Sequence, residues 1–415
     1  MQPFYKPVIW SLLDLDFYKL TMAQLAFFRH RDVLVTYAFK NRTKRVKLPE
    51  FVTVTQLQDE FEHVRTLRPT QAELGYLRCC RHLPAGFFRE EFLRFFAQLQ
   101  LPPVDVRVVD GEFEITVTGK WSEAIFWETM ILDVVNEFYF REQVKRSGKS
   151  LQDVWAEGDR RLDEKIRVLK ANPEIRFSDF GTRRRFSYDW QEYVLGRLDQ
   201  ELPEGQLLGT SNVALARHLD LPPIGTLAHE MDMVYSGIYD AGDDDSIRQS
   251  HQRMLGDWFI FYGEQLSIAL TDTYGTDFFF QDFTQVQARE WRGLRQDSGD
   301  PLEFGEKALE FYRLKGVNPL AKTAIFSDGL DIAMIQKIER HFRGRINVRF
   351  GWGTNLTNDL GFDPLSLVVK AVRANGHNLV KLSDNLAKAT GKPEDVKRFK
   401  QIFGYVNEAS TATVY

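Results

Sequence analysis

The chain has 415 residues, of which 43% are hydrophobic, 13% aromatic and 27% charged, with a formal net charge of -4. This composition supports packed cores rather than disorder, and the length exceeds the roughly 250–300 residues at which one core stops growing, so two domains are expected. The mild acidity excludes a general nucleic-acid surface, so an anionic substrate has to meet a local basic site.

The first ten residues carry Pro3 and Pro7 with no long apolar run behind them, and no later stretch approaches the roughly 18 apolar residues of a membrane span. A cytoplasmic location is the expectation. Val33 to Phe39 reads as a strand. The two cysteines, Cys79 and Cys80, are adjacent, which suits neither a cross-link between distant segments nor a metal site. Val104 to Val109 and Glu112 to Val117 flank Asp110-Gly111, and Leu367 to Ala374 and Asn378 to Leu382 flank Asn375-Gly376. Both dipeptides suit a type I′ hairpin turn, so antiparallel sheet is predicted near both ends of the chain. Between them, Ser122 is expected to cap a helix over 123–142. Its apolar positions Ala124, Trp127, Ile131, Val134 and Phe138 mark one buried face, a packing role.

From residue 175 onward, short apolar runs alternate with helix-length segments: Ile175–Phe177, Leu207–Leu208, Ile224–Leu227, Leu266–Leu270, Trp291–Leu294, Thr323–Phe326 and Ile346–Phe350. The alternation predicts β/α units around a parallel sheet. The runs end in Asp179, Thr210-Ser211, His229-Glu230, Thr271-Asp272, Arg295 with Asp297, Ser327-Asp328, and Gly351 with Gly353. Strand C-terminal ends are where a β/α barrel keeps its catalytic groups.

Several of these endings suggest chemistry. In SDFGTRRRFS, Arg183, Arg184 and Arg185 read as the first turn of a helix. Cations are unfavourable there unless an anion binds, the alternative being a solvated basic patch. GLRQDSGDP offers Arg295 for an anionic oxygen and Asp297 for hydroxyls or magnesium, while Asp300-Pro301 simply starts the next helix. The glycine turns of FSDGLD and FGWGTN can cradle phosphate, although glycines after strands usually just make turns. His229 directly ends a run, but Met233 stands where a zinc-protease motif needs its second histidine. Gly148-Lys149-Ser150 lacks the first glycine of a Walker motif, and Gly351-Trp352-Gly353 lacks the third glycine of a dinucleotide fingerprint.

Taken together, SLLDLDFYKLTM, DFGTRRRFS, LGTSN, GTLAHE, LRQDSGDP, FSDGLD and FGWGTN, spanning residues 11 to 355, resemble the nicotinate phosphoribosyltransferase family in order and spacing, with VVKAVRANGHNLVKLSD extending the match to 384. The resemblance implies an α/β fold with an irregular, TIM-like β/α barrel over 141–364. Beside it would stand an α/β sandwich built from 1–140 and 365–415. It implies a cytoplasmic, ATP-coupled enzyme that forms nicotinate mononucleotide and pyrophosphate from nicotinate and phosphoribosyl pyrophosphate with Mg2+. The pyridine ring would lie between residues resembling Phe180 and Tyr18, with Arg183 on the carboxylate or a nearby anion. Asp16, Tyr18 and Lys19 would act in trans in a homodimer. Arg295 and Asp297 resemble the contacts to phosphoribosyl pyrophosphate and Mg2+. Ser327, Asp328, Gly329, Gly353 and Thr354 resemble the 5′-phosphate and ribose cradle. His229 resembles the histidine that ATP transiently phosphorylates, and Thr210, Ser211 and Thr271 join the substrate-binding set.

The closely related nicotinamide enzymes carry an aspartate after the Gly-Thr pair, where this chain has Ser211. A neutral residue there does not repel a carboxylate, which favours nicotinate over nicotinamide, while quinolinate calls for a more basic pocket. Outside the family, a barrel isomerase or hydrolase of a phosphorylated sugar accounts for the strand-end carboxylates and phosphate turns but not for the ordered aromatic and arginine motifs. A non-catalytic binding protein does not explain why His229, Arg295, Asp297 and Asp328 occur together.

Overall fold

The structure, a computed structural model, describes residues 7–406. Its strands run, in chain order, β1 (Leu34–Asn41), β2 (Val104–Val109), β3 (Glu112–Lys120), β4 (Phe177–Asp179), β5 (Leu207–Thr210), β6 (Ile268–Leu270), β7 (Gly293–Gln296), β8 (Thr323–Phe326), β9 (Asn347–Trp352), β10 (Leu367–Ala374) and β11 (His377–Asn378). They form two sheets. One is antiparallel, ordered β11-β10-β1-β3-β2, and the other parallel, ordered β5-β4-β9-β8-β7-β6. β10 pairs with β1 along most of its length, so the C-terminal segment returns into the N-terminal sheet. The parallel strands and the helices between them make an irregular, unclosed β/α barrel beside the antiparallel layer.

The hairpin turns form for the expected reason. Asp110 and Gly111 have φ of 51° and 73°, and Asn375 and Gly376 have φ of 46° and 88°, the left-handed pair a type I′ turn needs. The second hairpin is shorter than expected: after Asn378 the chain leaves the sheet, and Lys381 instead makes an isolated bridge with Thr390.

Six of the seven apolar runs become parallel strands; Ile224–Leu227 does not. Pro222 and Pro223 have no N–H to offer a ladder, so only one bridge forms, between Pro223 and Thr210. The chain then turns onto the N-terminal helix Phe17–Arg29: the Thr21 hydroxyl donates to the Thr226 carbonyl at 3.0 Å, and Gly225 packs directly on Tyr18. The ladder is open there, between β5 and β6.

The helix expected over 123–142 is two pieces, Trp121–Ala124 and Trp127–Ser147, and Ser122 caps neither. Trp121 anchors the start instead, its indole N–H donating to Glu230 at 2.7 Å. The longer piece is buried on every side from Trp127 to Phe140. It therefore carries polar groups as well as packing, among them Glu128, Asp133 and Glu137. Gly148 (φ 69°) ends this helix and Ser150 caps the next, Leu151–Lys170, so the Gly-Lys-Ser string is a helix-to-helix turn. Among the described residues no helix is long and apolar enough to cross a membrane.

Candidate active site

A cleft opens at the C-terminal ends of the parallel strands, where the antiparallel sheet and the N-terminal helix roof it. Phe180, just after β4, forms one wall. Gly351 is required beneath it, because a Cβ there would stand 2.3 Å from the Phe180 ring. Tyr18 lines the cleft as well, and its hydroxyl is buried with no hydrogen-bond partner among the described residues, an orphan that a bound molecule can satisfy.

The N-terminal segment is stitched to the barrel in its own chain. Phe17 N–H donates to the Ser211 carbonyl at 2.7 Å, Val213 N–H to Leu15, Ala214 N–H to Leu13, and the Ser211 hydroxyl to Asp16 at 2.7 Å. Asp16 and Tyr18 thus line the cleft of their own chain. Lys19 does not reach the cleft at all. It is fully buried with Glu128 and Glu230 each at 2.5 Å. Burial opposes its charge, but the two carboxylates prevail and raise its pKa.

The arginine triplet divides. It sits in a 3-10 turn, Thr182–Arg184, and Ser187, not the triplet, caps the helix Tyr188–Glu201. Arg183 lies over Tyr18 with its Nε 2.9 Å from Asp16 and an Nη 3.4 Å from Glu128. Arg184 lines the cleft. Arg185 turns inward, fully buried, and grips Asp14 with both Nη atoms at 2.6 and 2.8 Å.

Arg295, Asp297, His229, Ser327, Asp328, Gly329, Gly353, Thr354 and Ser211 all line the cleft. Thr210 and Thr271 do not. The Thr210 hydroxyl donates to Asp179 at 2.7 Å, and the Thr271 hydroxyl is buried 3.1 Å from that of Thr276. Both stand at the ends of edge strands, where the Thr210 side chain turns to the end of the neighbouring β4 and that of Thr271 to its own loop. The Arg295 guanidinium makes no ion pair or hydrogen bond with any described residue, and its Nε is buried.

His229 precedes the helix Glu230–Ile238. Its Nδ1 lies 3.0 Å from the Thr273 hydroxyl, which donates to Asp232 at 2.6 Å, and its Nε2 lies 3.0 Å from Asp297 Oδ2. Burial, and then Lys381, push the imidazole down to about 4, so the ring is neutral at pH 7. Thr273 donates to Asp232, so its oxygen can accept from Nδ1, while Asp297 Oδ2 can accept from Nε2; the neutral ring has one N–H and donates to one of the two at a time. Burial works against the charge of Asp297, but His229, Arg295 and Lys381 outweigh it and hold the carboxyl well below its ordinary range. Asp297 also accepts from the Ser327 hydroxyl at 3.1 Å, and its side chain is 33% exposed, toward the cleft.

The sequence reading missed the cations of the roof. Arg42, Lys370, Lys381 and Lys388 line the cleft opposite the strand ends. Lys388 bonds Asp328 and the Asp297 carbonyl, Lys370 lies 3.6 Å from Glu128, and Lys381 3.7 Å from Asp272. One signal was present: Lys370 sits between the buried Val369 and Ala371 within β10, and Lys381 follows an apolar run. Glu128, on a helix assigned to packing, gave no signal.

Magnesium usually keeps several waters and binds through one or two carboxylates plus substrate phosphates. An ionised carboxylate partly open to the cleft and flanked by a neutral histidine, as Asp297 is, fits that chemistry. Among the described residues no group of three or more carboxylate, His or Cys side chains converges into a protein-only cage.

The family model described as the nicotinate phosphoribosyltransferase (NAPRTase) family matches residues 175–407, and that of its N-terminal domain matches 13–136. Among solved structures, the nicotinate phosphoribosyltransferase of Porphyromonas gingivalis is 32% identical with a TM-score of 0.86, covering 96% of this chain and 100% of that one. The Vibrio cholerae enzyme is 33% identical with a TM-score of 0.85, covering 97% of this chain and 95% of that one. A putative nicotinate phosphoribosyltransferase of Saccharomyces cerevisiae is 30% identical with a TM-score of 0.84, covering 97% and 100%. Matched in sequence and in fold over nearly all of its length, the chain belongs to the nicotinate phosphoribosyltransferase family.

Proposed function

We propose that this chain joins nicotinate to phosphoribosyl pyrophosphate, giving nicotinate mononucleotide and pyrophosphate, and that ATP accelerates the reaction by transiently phosphorylating His229. The Arg295 guanidinium, unpartnered among the described residues and facing the roof cations Arg42, Lys370, Lys381 and Lys388 across one cleft, carries the reading. So many cations around an aromatic wall suit a small planar ring beside a polyanion.

In this reading Phe180 and Tyr18 hold the ring, and Arg183 meets its carboxylate while neutralising Asp16 and Glu128. The turns Ser327–Gly329 and Gly353–Thr354 take the 5′-phosphate and ribose. The pyridine nitrogen forms its bond to C1′ as the bond from C1′ to the pyrophosphate oxygen breaks, and the electron pair leaves on that oxygen. Arg295 and the roof lysines stabilise the charge as it develops there, where fixed cations in a water-poor site act most strongly. Asp297 would hold Mg2+, which would supply further charge neutralisation on the pyrophosphate. In the coupled cycle, Nε2 of His229 takes the terminal phosphoryl group of ATP and ADP leaves. Nε2 is the nucleophile when the ring proton resides on Nδ1, where the Thr273 oxygen, itself donating to Asp232, accepts it.

Nicotinate mononucleotide formation with and without ATP tests this in wild type and His229→Ala. ATP should stimulate the wild type, and the variant should keep only the basal rate. Stimulation that survives in the variant removes His229 from the coupling. Product from nicotinamide or quinolinate but not nicotinate overturns the substrate, and no product from any of the three overturns the reaction.

A second expectation concerns pH. Burial, set against the attraction of Glu128 and reinforced by Lys381, Arg183 and Arg42, lowers Lys370 to about 8. The lysine is charged below that value and neutral above it, so the KM for phosphoribosyl pyrophosphate should rise as pH passes from 7 to 9. In Lys370→Met the KM should be higher at pH 7 and flat over that window; an unchanged slope assigns the alkaline limb to another group.

A further inference from the structure

Interior side chains of a β/α barrel fall into layers, normally filled by branched apolar residues. The strand registers define these layers here. Asp297, Ser327 and Gly351 face the cleft from the ends of β7, β8 and β9. Two residues earlier on the same faces, about 6.6 Å down the barrel, stand Arg295, Ile325 and Arg349, which are direct partners across β7, β8 and β9. Phe177 pairs with Phe350, and Phe350 N–H donates to the Arg176 carbonyl at 3.1 Å, so Arg176 is the neighbour of Arg349 in that layer. Arg292, immediately before β7, stands close enough to act on the charge of Arg349.

This layer, which reaches the cleft at Arg295 and runs down from it through Arg349 and Arg176, is therefore arginine-rich where apolar filling is the rule. Arg176 and Arg292 are exposed and Arg349 is half-buried, so this end of the barrel opens to solvent on the side opposite the cleft. No described residue makes an ion pair or hydrogen bond with the side chain of any of the three. Burial lowers the pKa of Arg349, and Arg292 and then Arg176 lower it further, with no carboxylate acting against them. Converging like charges without a counter-ion raise the energy of the folded state. Guanidinium forks match the oxygens of a phosphate group, which would relieve that repulsion.

We propose that the N-terminal mouth of the barrel is a second anion site, separate from the cleft, in which Arg176, Arg292 and Arg349 hold a phosphate group. The group can arrive as free phosphate or as part of a phosphate ester, and the geometry of three guanidinia serves either. The inference does not depend on the reaction performed in the cleft.

Two measurements on the full chain decide it. Crystals soaked in tungstate, a heavy phosphate mimic, should show an anomalous peak within hydrogen-bonding reach of Arg349 at the N-terminal mouth, besides any peak in the cleft. Calorimetric titrations with inorganic phosphate and with adenosine monophosphate should each be run on wild type and on Arg176→Gln/Arg349→Gln. The wild type should show a binding class that the double variant loses or binds at least about tenfold more weakly, while the cleft class persists. Tighter binding of the monophosphate than of phosphate at that class identifies the ester as the source. Tungstate in the cleft alone, or isotherms that coincide between wild type and variant, would overturn the proposal. If the double variant fails to fold, the position of tungstate in wild-type crystals still decides.

Discussion

Arg185→Ala is expected to destabilise the fold by about 3–5 kcal/mol, the typical cost of removing one partner of a buried ion pair. Arg185 is fully buried and bonds both oxygens of Asp14, which also accepts from Asn212 at 2.7 Å. Two more carboxylates share the space. Glu137 lies 3.9 Å from the Arg185 Nε, and both oxygens of the buried Asp133 lack a hydrogen-bond partner among the described residues. Burial raises the pKa of Asp133 well above its usual range, and the positive charge of Arg185 acts against that rise. Removing the guanidinium strands Asp14 as a charge in a dry interior and loosens the segment that carries Asp16 and Tyr18. By contrast Arg184→Ala, whose side chain lines the cleft, should stay within about 1 kcal/mol of wild type. Urea denaturation of the two variants makes the comparison. Equal losses would mean that the buried pair has no special weight.

Arg295→Ala should leave stability nearly unchanged and lower kcat/KM by roughly 10²–10⁴. The guanidinium has no partner among the described residues, so its removal breaks nothing in the free protein. If it makes two charge-assisted hydrogen bonds to the anionic substrate, each of about 1.5–3 kcal/mol, the loss is about 3–6 kcal/mol, and every 1.4 kcal/mol is tenfold in rate. Arg295→Lys restores the charge without the fork and should recover part of the loss. Steady-state kinetics with varied phosphoribosyl pyrophosphate checks this, and unchanged KM and turnover would remove Arg295 from the site.

Some of this architecture is legible residue by residue. Asp110-Gly111 and Asn375-Gly376 announce their turns because the positive φ is a local requirement that few residues meet. Asp300-Pro301 announces a helix start in the same way: the Asp300 carboxylate accepts from the N–H groups of Leu302 and Glu303. The β/α alternation predicts six strands because each must bury both faces, which needs a continuous apolar run. It fails at Ile224–Leu227, where the run follows two prolines and packs, largely half-buried, against the N-terminal helix. Apolarity reports burial, not the element that provides it. Lys19, Thr210 and Thr271 show the same limit in polar form. Each stands in or beside a motif of the cleft, yet its side chain turns to a neighbour, and residue type does not encode direction.

Local structure and the strand-end half of the cleft follow from the order of residues alone. Turn chemistry, caps and alternation act over a few residues, and Arg295, Asp297, Ser327 and Gly353 each stand at or just past the end of their own strand. The other half of the cleft exists only once the chain has folded. Arg42, Lys370, Lys381 and Lys388 come from opposite ends of the chain, brought together because β10 pairs with β1. Folding also selects which arginine of the triplet faces substrate and which is locked on Asp14, and it sets Arg176, Arg292 and Arg349 around one mouth. These are long-range Coulomb relations, fixed by sheet register rather than by spacing along the chain, and a one-residue slip in register would turn the strand-borne side chains among them to the opposite face.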